Sequence, residues 1–110
     1  MPYSSQSVKG DTLRTKTSKS FQVDRGKLVA LSAINLFELA EFHDNYVRVG
    51  ISLEGASPQN LLVVLAQGYC DGLTGISWTG AITLEPNMYL FIDLWSSSGS
   101  TINLCYITEY

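Results

Sequence analysis

A two-layer antiparallel β-sandwich of jelly-roll or Greek-key type, all-β with about seven or eight strands, is the fold this sequence predicts. Three observations carry that expectation. Apolar residues recur with a period of two in runs of strand length, most cleanly at Val47, Val49, Ile51 and Leu53. Gly, Pro, Asn and Ser cluster between the runs, where tight turns need them. The 110 residues are 45% hydrophobic and only 15% charged, enough apolar material for one core and too short a chain for a second.

Residues 1–19 are expected to form a basic, extended N-terminal arm, and residues 20–110 the sandwich domain. Pro2 to Lys19 is mostly Ser, Thr, Lys and Gly with few apolar anchors; Thr12 to Ser20 is suited to extending a sheet edge and not to folding alone. Phe21 and Val23 then alternate with Gln22 and Asp24, and Asp24-Arg25-Gly26-Lys27 reads as a turn in which Gly26 takes a positive φ at no steric cost. The next strand starts at Leu28, with Val29, Leu31 and Ala33 on one side and Leu28, Ala30 and Ile34 on the other. Leu36, Leu39, Ala40 and His43, at spacings of three and four, set a short helix against a continuing strand. The expectation is a strand ending near Asn35 and a connection that contains a helical turn.

Asn45 to Glu54 should be a half-exposed antiparallel strand, with Tyr46, Arg48, Gly50, Ser52 and Glu54 outward. Ser57 as N-cap and Pro58 at the first helical position offer a helix over the following residues. The short run Leu61-Leu62-Val63-Val64-Leu65, with its two valines, favours a buried strand instead. Gly68 to Gly80 reads as turn-rich, with a brief strand around Ile76 to Thr79. A short strand Ala81 to Leu84 follows, then a turn at Glu85-Pro86-Asn87, where Pro86 fixes φ. Met88 to Tyr106 is expected to be a hairpin with its tip at Ser96 to Ser100, and the rest of the chain to pack against it. In its first strand Met88, Leu90, Ile92 and Leu94 face one way and Tyr89, Phe91, Asp93 and Trp95 the other. Both faces are largely apolar, which calls for cover from a second layer or from another subunit.

Charge is divided along the chain. Residues 1–27 hold six basic side chains (Lys9, Arg14, Lys16, Lys19, Arg25, Lys27) against Asp11 and Asp24, a net of +4; residues 28–110 hold Arg48 against eight acids, a net of −7. An arm carrying Lys9, Arg14, Lys16 and Lys19 is therefore expected to contact the acidic body of an identical subunit. Nucleic acid is not an expected partner, because the body repels phosphate and the arm lacks interleaved aromatics. No run reaches the roughly 18 apolar residues of a membrane helix, and the opening residues lack a signal-peptide pattern. A soluble protein is expected, its compartment open.

No catalytic constellation stands out, and neither an enzyme nor a cofactor is expected. His43, the single histidine, lies near Glu38, Glu41 and Asp44, but the spacing is not that of a metal site. Cys70 beside Asp71, and the hydroxyls of Ser96 to Ser100, have no imidazole placed near them. Cys70 and Cys105 are more simply core thiols than a disulfide. Tyr89, Phe91, Trp95 and Tyr106 are the candidates for an interface between identical subunits. Trp78, Tyr69, Asp71 and Asn87 are the candidates for a shallow ligand site of carbohydrate- or receptor-binding type, since aromatic faces stack on sugars and nearby polar groups orient them.

The segment Ser20-Phe21-Gln22-Val23-Asp24-Arg25-Gly26-Lys27-Leu28-Val29-Ala30-Leu31 resembles the opening of small β-sandwich domains in bacteriophage and viral structural proteins. Trp78 to Phe91 is similar to the proline-and-tyrosine passage that precedes a hairpin in those domains. The sequence departs from their pattern at Asp24-Arg25, where proline and alanine are usual, and at Asn87, which replaces glycine. The resemblance implies a virion protein of decoration, baseplate or tail-fibre type, assembled as a trimer or larger ring of identical subunits, on a capsid or tail scaffold protein in some cases, with exchanged terminal arms.

Overall fold

The computed structural model describes residues 3–9, 16–22, 26–35, 45–53, 61–70, 75–95 and 101–109. Among these are eight strands: β1 (Tyr3–Lys9), β2 (Lys16–Gln22), β3 (Gly26–Asn35), β4 (Tyr46–Leu53), β5 (Leu61–Tyr69), β6 (Gly75–Leu84), β7 (Met88–Trp95) and β8 (Thr101–Glu109). They form two four-stranded sheets, ordered β1-β8-β3-β6 and β2-β7-β4-β5, with every pairing antiparallel. The pairs nest: β4 with β5, β3 with β6, β2 with β7, β1 with β8. A long hairpin folded at β4–β5 and rolled so that β3 meets β8 and β4 meets β7 is the jelly roll. Each sheet supplies one face to a shared core, in which Leu28, Ala33, Val47, Val49, Ile51, Leu90, Ile92, Leu94, Ile102 and Leu104 are fully buried.

The hairpin expected over Met88 to Tyr106 is not one. β7 pairs with β2 and β4, whereas β8 pairs with β1 and β3, so the connection between them crosses from one sheet to the other. A polar, serine-rich tip suits an arch between layers as well as a turn within one, and the sequence pattern of the two strands is the same in either case. The connection itself, 96–100, lies outside the described residues.

Three other elements differ in detail. A register shift between Leu28 and Ala30 puts an extra residue into β3, so Leu28 and Leu31 are buried on the same face although simple alternation separates them. The brief strands expected around Ile76 and Ala81 are one continuous β6 that passes through Gly80. In β4 the outward residues Gly50 and Ser52 are buried along with Val47, Val49 and Ile51. The competition between helix and strand after Pro58 resolves to strand from Leu61 onward, but to an edge strand with Leu62 and Val63 exposed and not the buried one expected, while the helical turn considered after Asn35 and the Ser57-Pro58 cap lie outside the described residues.

Within residues 1–19, residues 3–9 and 16–19 are extended and paired with β8 and β7 of the same chain. β3 opens on Gly26 at φ 135°, as the turn reading required. Gly26→Ala is expected to cost about 1 kcal/mol, because an L side chain resists that conformation; a lowered denaturant midpoint at unchanged slope is the readout. The β6–β7 turn is closed by a hydrogen bond from the Met88 amide to the Glu85 carbonyl at 3.0 Å. Cys70 and Cys105 are not joined: Cys70 is buried with its thiol 3.5 Å from the Ala33 carbonyl, and the Sγ of Cys105 accepts from Asn103 Nδ2 at 3.0 Å.

Candidate functional site

The outer face of the β2-β7-β4-β5 sheet gathers most of the described chemistry. Residues directly opposite in paired strands present their side chains on the same face. The pairing therefore aligns Lys16, Trp95, Tyr46 and Tyr69 in one row across all four strands, and Ser18, Asp93, Arg48 and Gln67 in the next. Leu90, Ile92 and Leu94 take the core face of β7, which leaves Phe91, Asp93 and Trp95 on this one.

Asp93 is fully buried on this face and satisfied from both sides. Ser18 Oγ donates to Oδ1 at 2.7 Å, while Arg48 donates to Oδ2 through Nε at 3.1 Å and, closer still, through Nη2. A carboxylate taken out of water needs this compensation. The same ion pair fixes the guanidinium in place, 5.6 Å from the Trp95 ring centroid and 6.0 Å from that of Phe91. Lys16 Nζ lies 5.8 Å from the Trp95 centroid. Tyr46 stands edge-on to both aromatic neighbours, with centroids 5.1 Å from Tyr69 and 5.8 Å from Trp95. Phe91 is fully buried beside Gly50, Tyr46 and Trp95 are half-buried, and Tyr69 is 58% exposed. The row thus grades from a closed centre to an open aromatic end.

The structure separates the residues nominated from sequence. Tyr89, Phe91 and Trp95 share the outer face of β7, but Tyr106 is buried in the core on the opposite sheet, aligned with Leu31. Lys16 and Lys19 are exposed on β2, with Lys19 aligned with Ile92; Lys9 ends β1 opposite Thr101, and Arg14 lies outside the described residues. The ligand candidates do not converge. Asn87 is exposed in the β6–β7 turn, at the other end of β7 from Trp95 and Tyr69. Trp78 packs against the core in the other sheet, and Asp71 lies outside the described residues. Trp78 lines a cavity of about 130 Å³ with Ala30, Ser32, Thr79, Cys105 and Ile107, below the several hundred Å³ of a small-molecule cleft.

Tyr46 and Arg48 were missed as site residues. Their signal was present: both sit on the outward set of the most regular strand, where a large aromatic and the body's single cation have no reason of core packing to be. Among the described residues no three His, Cys, Asp or Glu side chains group as metal ligands, and no helix is long and apolar enough to cross a membrane; the His43, Glu38, Glu41 and Asp44 group lies outside them.

No protein-family model matches the chain, and no curated protein and no solved structure shows significant similarity to it.

Proposed function

We propose that this protein is a structural subunit of a virion, a decoration or tail component, that assembles with identical copies through the flank formed by β5 and β6. The observation that carries the reading is the contrast between the two flanks of the sandwich. β5 and β6 are edge strands of nine and ten residues packed beside one another, and neither contains a charged residue. Leu62 is 52% and Val63 38% exposed on that side. The opposite edge of the same sheet, β2, carries exposed Lys16 and Lys19, and Lys19 falls in register with core residues. A lysine on the inward set of an edge strand blocks the approach of another sheet; a long apolar edge without one invites it. The outer edges of β5 and β6, which no other strand among the described residues pairs with, would find partners in a second copy, in a closed trimer or larger ring. The virion context draws on the jelly-roll topology, which is common in viral coat proteins, and on the resemblance at Ser20–Leu31 and Trp78–Phe91.

Light scattering on the full chain tests the reading. A closed oligomer is expected, and the double variant Leu62→Lys, Thr79→Lys, which puts one charge on each edge strand, is expected to be monomeric with a thermal midpoint within a few degrees of a dissociated wild type. A wild-type chain that stays monomeric up to millimolar concentration would remove the assembly reading for the protein alone.

A further inference from the structure

We infer that the row Lys16–Trp95–Tyr46–Tyr69, with Arg48 beneath it, binds an acidic saccharide, a sugar bearing a carboxylate. The inference concerns the outer sheet face; it shares β5 with the assembly flank through Tyr69 at the end of that strand, and its test reads binding and not oligomeric state.

The row crosses four strands, about 14 Å at the strand spacing, and opens toward Tyr69. An aromatic row suits sugar rings, whose C–H faces pack on aromatic rings while their hydroxyls and acid groups reach for polar side chains at the margin. Tyr69, more than half exposed, supplies the outermost ring, and Tyr46 holds it edge-on.

The polar groups select among sugars. Both oxygens of Asp93 are engaged by Ser18 and Arg48 and the residue is buried, so it is not available to accept hydrogen bonds from a neutral sugar's hydroxyls. The charged groups left at the margin, among the described residues, are donors. Lys16 is exposed with a three-proton ammonium near the Trp95 ring. Arg48 is 28% exposed, and its Nη1 has no partner among the described residues while Nε and Nη2 face Asp93. Two cations flank one indole, and Asp93, in the next row, is paired with one of them. Among the described residues of the two rows the balance is positive, on a body whose sequence is acidic. A ligand that brings its own carboxylate completes that arrangement with charge-assisted hydrogen bonds; a neutral sugar offers the same donors only hydroxyl oxygens, which bind them more weakly. Single-stranded nucleic acid is the poorer match, because it needs cations spaced along a path for successive phosphates and this face offers them at one point.

The test is a titration of the full chain by calorimetry with sialyllactose, a hyaluronan tetrasaccharide, lactose and an oligothymidylate. Saturable binding of either acidic sugar is expected, with lactose weaker by about tenfold or more. Lys16→Gln and Tyr69→Ala, both at exposed positions, should each weaken the acidic sugar about tenfold, and Trp78→Phe, in the other sheet, should leave it unchanged. Three results would each overturn the inference: no saturable signal with either acidic sugar, equal affinity for lactose, or an oligothymidylate that binds more tightly than both. Lys16→Gln with undiminished affinity would do the same, since that substitution leaves the strand pairing intact.

Discussion

Arg48→Ala should lower the unfolding free energy by about 3–5 kcal/mol, because it leaves the Asp93 carboxylate buried with a single hydroxyl donor. At roughly 4–8 °C per kcal/mol for a domain near this size, the thermal midpoint should fall by well over 10 °C. Asp93 is fully buried, and Arg48 provides two of the three side-chain hydrogen bonds it accepts among the described residues. The loss then reflects an uncompensated charge rather than the attraction of the pair. A distinct consequence follows from that distinction: Arg48→Met with Asp93→Asn, which removes both charges at nearly the same volume, should recover most of the stability. The double-mutant cycle measures the coupling. A loss below about 1 kcal/mol for Arg48→Ala would mean that water reaches Asp93 as it reaches a surface pair.

Gly50→Ala is the second large effect. A Cβ on Gly50 would lie 2.1 Å from the Val63 carbonyl oxygen, 2.9 Å from Val64 Cα and 2.9 Å from Phe91 Cε1. Two of the three obstacles are backbone of the neighbouring strand. They cannot turn aside as a side chain can, so β4 and β5 must separate where their ladder is already interrupted between Val49 and Gly50 and between Ile51 and Ser52. The expected cost is about 3 kcal/mol, the upper end for overpacking. Gly80→Ala is the useful contrast, since the three atoms nearest its Cβ all belong to the ring of Trp78, a side chain and not backbone. Chemical denaturation of the two variants side by side should show the larger loss at position 50; equal losses would place the β5 backbone farther from Gly50 than the structure has it.

Much of the fold was legible because a strand's period is two and burial follows it. Val47, Val49 and Ile51 are fully buried on the face their alternation assigns, and the same period of two puts Ile102, Leu104 and Tyr106 together on one side of β8, in the core. That last placement also explains why Tyr106 fails to join Tyr89, Phe91 and Trp95: the sequence shows which residues of a strand share a face, and not which faces of two strands meet. The bulge near Val29 was invisible for a related reason. Leu28-Val29-Ala30-Leu31 is apolar throughout, so nothing in it marks where one residue is skipped in the pairing. The site was half legible. Tyr69 was named for a ligand site and Trp95 for an interface, but Arg48 is 45 residues from Asp93 and meets it only when β4 and β7 pair. Tyr46 likewise acquires meaning from its two ring neighbours, which lie on different strands.

The nesting of the strand pairs also sets an order in which the chain can close on itself. The innermost pairing joins Ser52 to Leu61, nine positions apart, and the outermost joins Tyr3 to Ile107, 104 apart. Closing the outer loop directly from the unfolded chain costs about 2 kcal/mol more in chain entropy than closing the inner one. Once β4–β5 and then β3–β6 and β2–β7 have formed, most of that distance is already spanned, and β1 has a far shorter search to reach β8. The roll is thus wound from its middle outward, a high-contact-order topology made tractable by taking its longest-range pairing last.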